Sequence, residues 1–280
     1  MIIKKTFFLL IFPLFAFQSL CATPLAEQFK RTGYLEICDK QHEIAAYDSL
    51  YASFDDLIEF LQTNPVWVQK LYTAKERFIR SSDRNYYSTN FFGFCDESKK
   101  EGRNQISFYY SSYFHKFICS YYPELHQISE ISLFFEACLE IQKPYGNIFS
   151  EAAAELGLET IFSSKYIHPP ILFKVIKYLP SYTAIKPHYD GTAFSLFLDS
   201  TDNQSLLLSP YKSSFTVDDF SSPPREFLRL HNQSSILLIP GTLLTEFSIY
   251  PTPHIVTQSG KIRYATVAFA MRPNYIPQKK

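Results

Sequence analysis

An imidazole and a carboxylate stand two residues apart in Pro187-His188-Tyr189-Asp190-Gly191. In an extended chain, residues i and i+2 project to the same face, so His188 and Asp190 can approach one cation together. A second imidazole, His254, follows 64 positions after Asp190, and Arg263 comes nine residues later. Two histidines and one carboxylate make a facial set of donors that suits non-haem Fe(II) and leaves positions open for substrate-derived ligands and oxygen. A guanidinium at Arg263 can grip a carboxylate through two parallel hydrogen bonds. H-x-D alone is weak, arising about 0.3 times by chance in 280 residues with 7 His and 11 Asp. The weight rests on its combination with the distal His, the Arg and the strand patterns around them. His42, His115, His126, His168 and His231 have no such company and read as surface or satisfied core residues.

Short strands must carry these side chains. After residue 165 brief apolar or alternating runs succeed one another with turn residues between them. They are Ile171–Leu179, Ala193–Asp199, Ser205–Ser209, Glu226–Leu230, Ser235–Ile239, Leu243–Tyr250, His254–Thr257 and Arg263–Met271. Eight such strands predict a barrel or double-sheet jelly roll. Residues 23–165 read as mainly helical. Apolar residues at helical spacing mark Tyr47–Thr63, closed by Asn64-Pro65, then Val66–Ile79. The longest helical stretch is Ile128–Leu158, which Pro144-Tyr145-Gly146 can break. Arg80–Ser112 reads as a loop followed by a strand, Gln105–Tyr110. The expected class is α+β, with a double-stranded β-helix (jelly-roll) core over 166–280 behind a helical N-terminal region.

Together these residues resemble the isopenicillin N synthase-like family of Fe(II)/2-oxoglutarate-dependent dioxygenases. That family carries H-x-D, a distal His and then R-x-S on a jelly-roll core. His188, Asp190 and His254 match its iron ligands, and Arg263 matches the arginine that binds the far carboxylate of 2-oxoglutarate. Tyr178, in Lys177-Tyr178-Leu179-Pro180, is similar to a tyrosine upstream of H-x-D whose hydroxyl reaches the cosubstrate. Ser234–Leu243 sits where the family has a strand and turn ahead of the distal His. The resemblance covers roughly residues 40–275, most specifically at the metal motif. It implies an oxygenase that uses Fe(II), 2-oxoglutarate and O2 to oxidise a C–H bond of a small-molecule substrate. Tyr178, Phe194, Phe247 and Phe269 are candidates for an aromatic pocket wall. One departure stands out: the serine of R-x-S is Ala265 here. Losing that hydroxyl removes a hydrogen bond to the bound acid.

Composition bounds the alternatives. Hydrophobic residues make up 46% and charged residues 19%, which excludes wholesale disorder. The 27 basic residues balance the 27 acidic ones, so no global field exists to hold a nucleic acid or an anionic membrane. With 8 glycines and no G-x-G-x-x-G, Walker or G-x-S-x-G pattern, nucleotide-loop and serine-hydrolase chemistry find no support. Residues 1–22, with Lys4 and Lys5 before the apolar run Phe7–Phe17 and small residues up to Ala22, read as a signal peptide. The expectation is an exported protein, periplasmic or secreted, with no stable membrane span after cleavage. Cys38, Cys95, Cys119 and Cys138 then remain, as two disulfides or as four thiols. No CxxC occurs and no His sits at zinc spacing among them, which argues against structural zinc. Two other readings stay open. One is an exported metal-binding jelly roll that has lost turnover, towards which Ala265 leans. The other is an interaction protein in which His188 and Asp190 are only a surface pair. Zinc in the same triad is the competing metal.

Overall fold

The computed structural model describes residues 24–38, 44–81, 93–100, 104–158, 171–181, 185–201, 205–209, 228–229, 235–257 and 260–271. The expected signal peptide, His42, His168 and His231 lie outside these. The first part of the chain forms α1 (Leu25–Arg31), β1 (Leu35–Cys38), α2 (Ile44–Thr63), α3 (Pro65–Ser81), β2 (Gly93–Glu97) and β3 (Gln105–Tyr110). Four more helices follow: α4 (Ser112–Tyr121), α5 (Pro123–His126), α6 (Ser129–Gln142) and α7 (Gly146–Glu155). Then come β4 (Ile171–Tyr178), β5 (Ile185–His188), β6 (Phe194–Ser200), β7 (Leu206–Leu208), β8 (Leu228–Arg229), β9 (Ser235–Pro240), β10 (His254–Val256) and β11 (Arg263–Ala270). Among the described residues no helix is long and apolar enough to cross a membrane.

Two antiparallel sheets hold the strands. One has the order β1-β9-β6-β11-β4-β3-β2, the other β5-β10-β7-β8. From β4 to β11 the chain alternates between them except at β7 and β8, which pair with each other in the smaller sheet, and this arrangement of antiparallel sheets with helices is consistent with a jelly roll. Three strands of the larger sheet, β1, β2 and β3, come from the region before residue 165.

Strand alternation decides what each face of the larger sheet meets. On β11, Tyr264 and Thr266 face the helices: Tyr264 stacks on Tyr51 of α2 at 4.9 Å, and Thr266 meets the Tyr51 hydroxyl at 3.1 Å. Asp55 of α2 accepts from Lys177 Nζ at 2.8 Å and from the Tyr264 hydroxyl. α2 therefore presents Leu50, Phe54, Leu57 and Leu61 to the core while fastening the sheet through its polar groups. Phe54 stacks on Phe134 of α6 at 5.1 Å, and Phe108 of β3 meets the same ring edge-on. The opposite face of the sheet turns Phe197, Leu237 and Ile239 towards Leu206 and Leu208 of the smaller sheet. That inter-sheet side carries the site.

One local expectation is corrected. Leu243–Tyr250 is not a strand: Thr242–Phe247 is a 3-10 turn ending at Ser248, whose φ is 60°. The adjacent Leu243 and Leu244 are both buried, which a turn permits and strand alternation does not. The eighth strand of the core is instead β5, which ends on His188. α4 was not foreseen. Ser111 caps it, its Oγ accepting from Tyr113 N at 3.3 Å, and Phe114 and Ile118 bury one face. Of the two readings left open for the cysteines, the structure has Cys95, Cys119 and Cys138 as free thiols.

Candidate metal centre

His188 ends β5, His254 opens β10, and the two residues are direct cross-strand partners. Opposed residues of an antiparallel pair project to one face with their Cβ atoms about 5 Å apart. The rings accordingly lie with centroids 4.2 Å apart. Asp190, two residues beyond His188, puts one carboxylate oxygen towards each imidazole. Its Oδ1 is 3.7 Å from His188 Nε2, and its Oδ2 is 3.7 Å from His254 Nε2. One donor atom from each of the three residues lies within 4.8 Å of the others. Strand register thus supplies the two histidines, and the i, i+2 spacing supplies the acid.

A turn holds the Asp190 segment in place. The backbone N–H groups of Thr242, Gly241 and Leu243 donate to the carbonyls of Asp190 at 2.9 Å, Ala193 at 2.9 Å and Thr192 at 3.1 Å. Such an approach requires glycine at 241, because a Cβ there would lie 2.1 Å from Thr192 O. Gly241→Ala is expected to displace the Asp190 loop, lowering stability by about 1–3 kcal/mol. Thermal unfolding and metal titration should both register it.

Hydrogen bonds around the donors orient them. His254 is 2% exposed, and its Nδ1 lies 3.2 Å from Thr252 O. An N–H donated there leaves the Nε2 lone pair for a cation. Thr252 is fixed in turn, its hydroxyl donating to Gly33 O. Ser195 Oγ donates to Asp190 Oδ2 at 2.7 Å, and Thr192 Oγ1 is 3.0 Å from Ser195 Oγ. Burial pushes the Asp190 carboxyl up, but His254, His188, the Ser195 hydroxyl and Lys174 together hold it below the ordinary carboxylate value. A deprotonated acid between two imidazoles is the donor set a divalent cation takes. Ser195→Ala is expected to weaken metal binding by about 10-fold, measured by competition with a chelator, with folding retained.

Arg263 and Tyr178 are opposed across β11 and β4. The guanidinium carbon lies over the Tyr178 ring, 3.7 Å from its centroid, and Nη2 donates to Thr257 O at 2.9 Å. Arg263 is 3% exposed. It shares its face of β11 with Ala265, Val267 and Phe269, and Val267 is opposed to Phe197 of β6. Phe197 meets His254 edge-on at 5.5 Å. Arg263 and the triad therefore open on the same inter-sheet side. The Tyr178 contact and the bond to Thr257 O hold the guanidinium in place, and its fork suits a carboxylate taken bidentately.

Among the wall candidates, Tyr178 and Phe269 share that side. Phe194 does not: it packs on Phe29 and Phe149, each at 6.4 Å, in the helical core. Phe247 stands on the 3-10 turn, 36% exposed. Lys174 escaped the sequence reading. It is opposed to Val267 on the inter-sheet face, with its Nζ 4.8 Å over the Tyr109 ring. Its signal was present in Ile171–Tyr178, where Lys174 and Lys177 interrupt an apolar strand three residues apart and so point to opposite faces. Ser195 gave no signal, since a serine in a strand is commonplace.

Sequence comparison finds no matching family model and no matching curated protein. Solved structures do match. The dioxygenase for auxin oxidation 1 of Arabidopsis thaliana, solved as a 2-oxoglutarate complex, has a TM-score of 0.58 at 14% identity, over 89% of this chain and 86% of its own. JOX2, solved with 2OG, Fe and JA, gives 0.57 at 14% identity, over 90% of this chain and 71% of its own. A 2OG-Fe(II) oxygenase family protein from Caulobacter crescentus gives 0.54 at 16% identity, over 89% and 80%. At these identities the likeness is one of fold. The chain has the fold of the 2-oxoglutarate/Fe(II) oxygenases, and its resemblance to the isopenicillin N synthase-like family is shown at that level.

Proposed function

We propose that this protein is a non-haem Fe(II)/2-oxoglutarate-dependent oxygenase acting on a small molecule. The observation that carries the reading is the convergence of His188, Asp190 and His254, with one carboxylate oxygen facing each imidazole. The donor chemistry fits iron: two neutral nitrogens and one anionic oxygen form a facial set with positions left open. Arg263 fits the far carboxylate of 2-oxoglutarate by charge, fork geometry and burial. Iron and 2-oxoglutarate bound there supply the oxidising chemistry, in which O2 and the cosubstrate yield succinate, CO2 and one oxygen atom for a substrate C–H bond.

The chain's own residues do the positioning. His188 and His254 would hold the cation through their ring nitrogens. Asp190 neutralises part of its charge, and the Ser195 hydroxyl keeps the carboxylate aimed at it. Arg263 fixes the acid end of the cosubstrate, and Tyr178 fixes Arg263. Phe197 closes one side of His254 and keeps water from it. Lys174 and its cross-strand partner Tyr109, with Phe269 beside Ser195, line the inter-sheet side next to these groups and are the side chains a substrate would meet there.

The test is succinate release from protein loaded with iron without oxygen and then given 2-oxoglutarate and O2. Turnover dependent on His188, Asp190 and His254 supports the oxygenase. Iron retention with neither 2-oxoglutarate binding nor oxygen consumption would make the protein a metal-binding jelly roll without turnover. Failure of a folded sample to retain iron would defeat both.

A further inference from the structure

A second cluster of metal-ligating side chains lies outside the site just described. His115 and Cys119 sit at i and i+4 on α4, so they project from one helix face about 6 Å apart. α5 brings His126 to the same place. One donor atom from each of His115, Cys119 and His126 lies within 4.8 Å of the other two. We propose that His115, Cys119 and His126 form a zinc site that joins α4 to α5, with a fourth position open to solvent.

Three further observations support it. His115 Nδ1 is held 3.0 Å from the Tyr110 hydroxyl, an outer hydrogen bond that orients the ring and leaves Nε2 for a cation. His126 Nδ1 is buried and has no hydrogen-bond partner among the described residues, the state of a nitrogen that lacks a fixed acceptor and that a cation can satisfy. Cys119 is an exposed free thiol, reachable by a metal ion from solvent. Two imidazole nitrogens and one thiolate select zinc over the hard cations, and over the carboxylate-containing set at His188, Asp190 and His254 they favour a softer ion. Binding releases the thiol proton to solvent, with no change of oxidation state.

The two centres are physically separate. Tyr110 is on the helical face of β3, edge-on to Phe135 at 5.6 Å, whereas the triad opens on the inter-sheet face of the same sheet. Zinc loading at α4 and α5 therefore leaves the iron ligands untouched.

The sulfur ligand separates the sites spectroscopically. Full-length protein, reduced with a phosphine and freed of metal, is titrated with Co(II) as a stand-in for zinc. A thiolate-to-cobalt charge-transfer band that zinc displaces is expected, complete by two equivalents with both sites present and by one equivalent in the His188→Ala/His254→Ala variant. Cys119→Ser, an exposed and isosteric change, should abolish the band while circular dichroism stays unchanged, and His126→Ala should weaken cobalt binding by at least about 10-fold. The His188→Ala/His254→Ala double variant should retain the band. Absence of any thiolate band in folded protein, or a band that survives Cys119→Ser, overturns the proposal.

Discussion

Replacing His254 by alanine should abolish iron retention. His254 is buried at the start of β10, with Nδ1 against a backbone carbonyl and Nε2 facing Asp190, and no other described imidazole can take its place beside His188. Loss of an outer hydrogen bond at a metal site already costs about 10–100-fold in affinity, so loss of a ligand exceeds about 100-fold. His188→Ala should behave alike, since the two rings are cross-strand partners facing one acid. Removing a packed imidazole also leaves a cavity against Phe197, so His254→Gln, of similar size, guards against mere unfolding. Iron content after anaerobic loading and desalting, set beside circular dichroism, reads the result. Full iron retention by folded His254→Gln would show that the cation binds elsewhere.

Arg263→Lys is expected to separate cosubstrate binding from metal binding. Lysine keeps the charge but loses the planar fork and its contact with Tyr178. One lost hydrogen bond to a carboxylate is worth about 1.5–3 kcal/mol, which corresponds to a rise of about 10–100-fold in the KM for 2-oxoglutarate. Iron retention should not change, because Arg263 touches none of the three donors. The reverse experiment is available at position 265. Ala265 lies two residues along the same face of β11, opposed to Ile176 and Ser200. Ala265→Ser returns the hydroxyl that the family motif carries and should lower the same KM by about 2- to 10-fold. A KM indifferent to both changes would mean that Arg263 serves the core and that another acid, or none, binds there.

Much of this site was legible before the fold, and the reason is physical. H-x-D works through the two-residue period of an extended chain, which survives without knowledge of the sheet. His254 and Arg263 each open a short apolar run, so their strands announced them. Three things were hidden. β5 has only four residues and begins among prolines and polar residues, so its alternation is too brief to read, although it bears His188. Leu243–Tyr250 looked like a strand because it is apolar, whereas the close approach of Gly241 to Thr192 turns it into a 3-10 clamp on Asp190. α4 is rich in Tyr, Phe, Ile and Cys, residues that favour strands, and only its Ser111 cap and its i, i+4 burial reveal a helix. Missing that helix also hid the pairing of His115 with Cys119, which spacing alone makes unremarkable. The helical and inter-sheet faces of β11 were likewise hard to assign from sequence, since Arg263 stands on one and Tyr264 and Thr266 on the other, and only contact with α2 tells them apart.

The most direct test is a crystal grown without oxygen in Fe(II) and 2-oxoglutarate, with data collected on both sides of the iron absorption edge. The structure described here requires an anomalous peak bounded by His188 Nε2, Asp190 and His254 Nε2, with the far carboxylate of the acid lying on the Arg263 guanidinium. A peak placed elsewhere, or an empty triad in protein that has taken up iron, would contradict it.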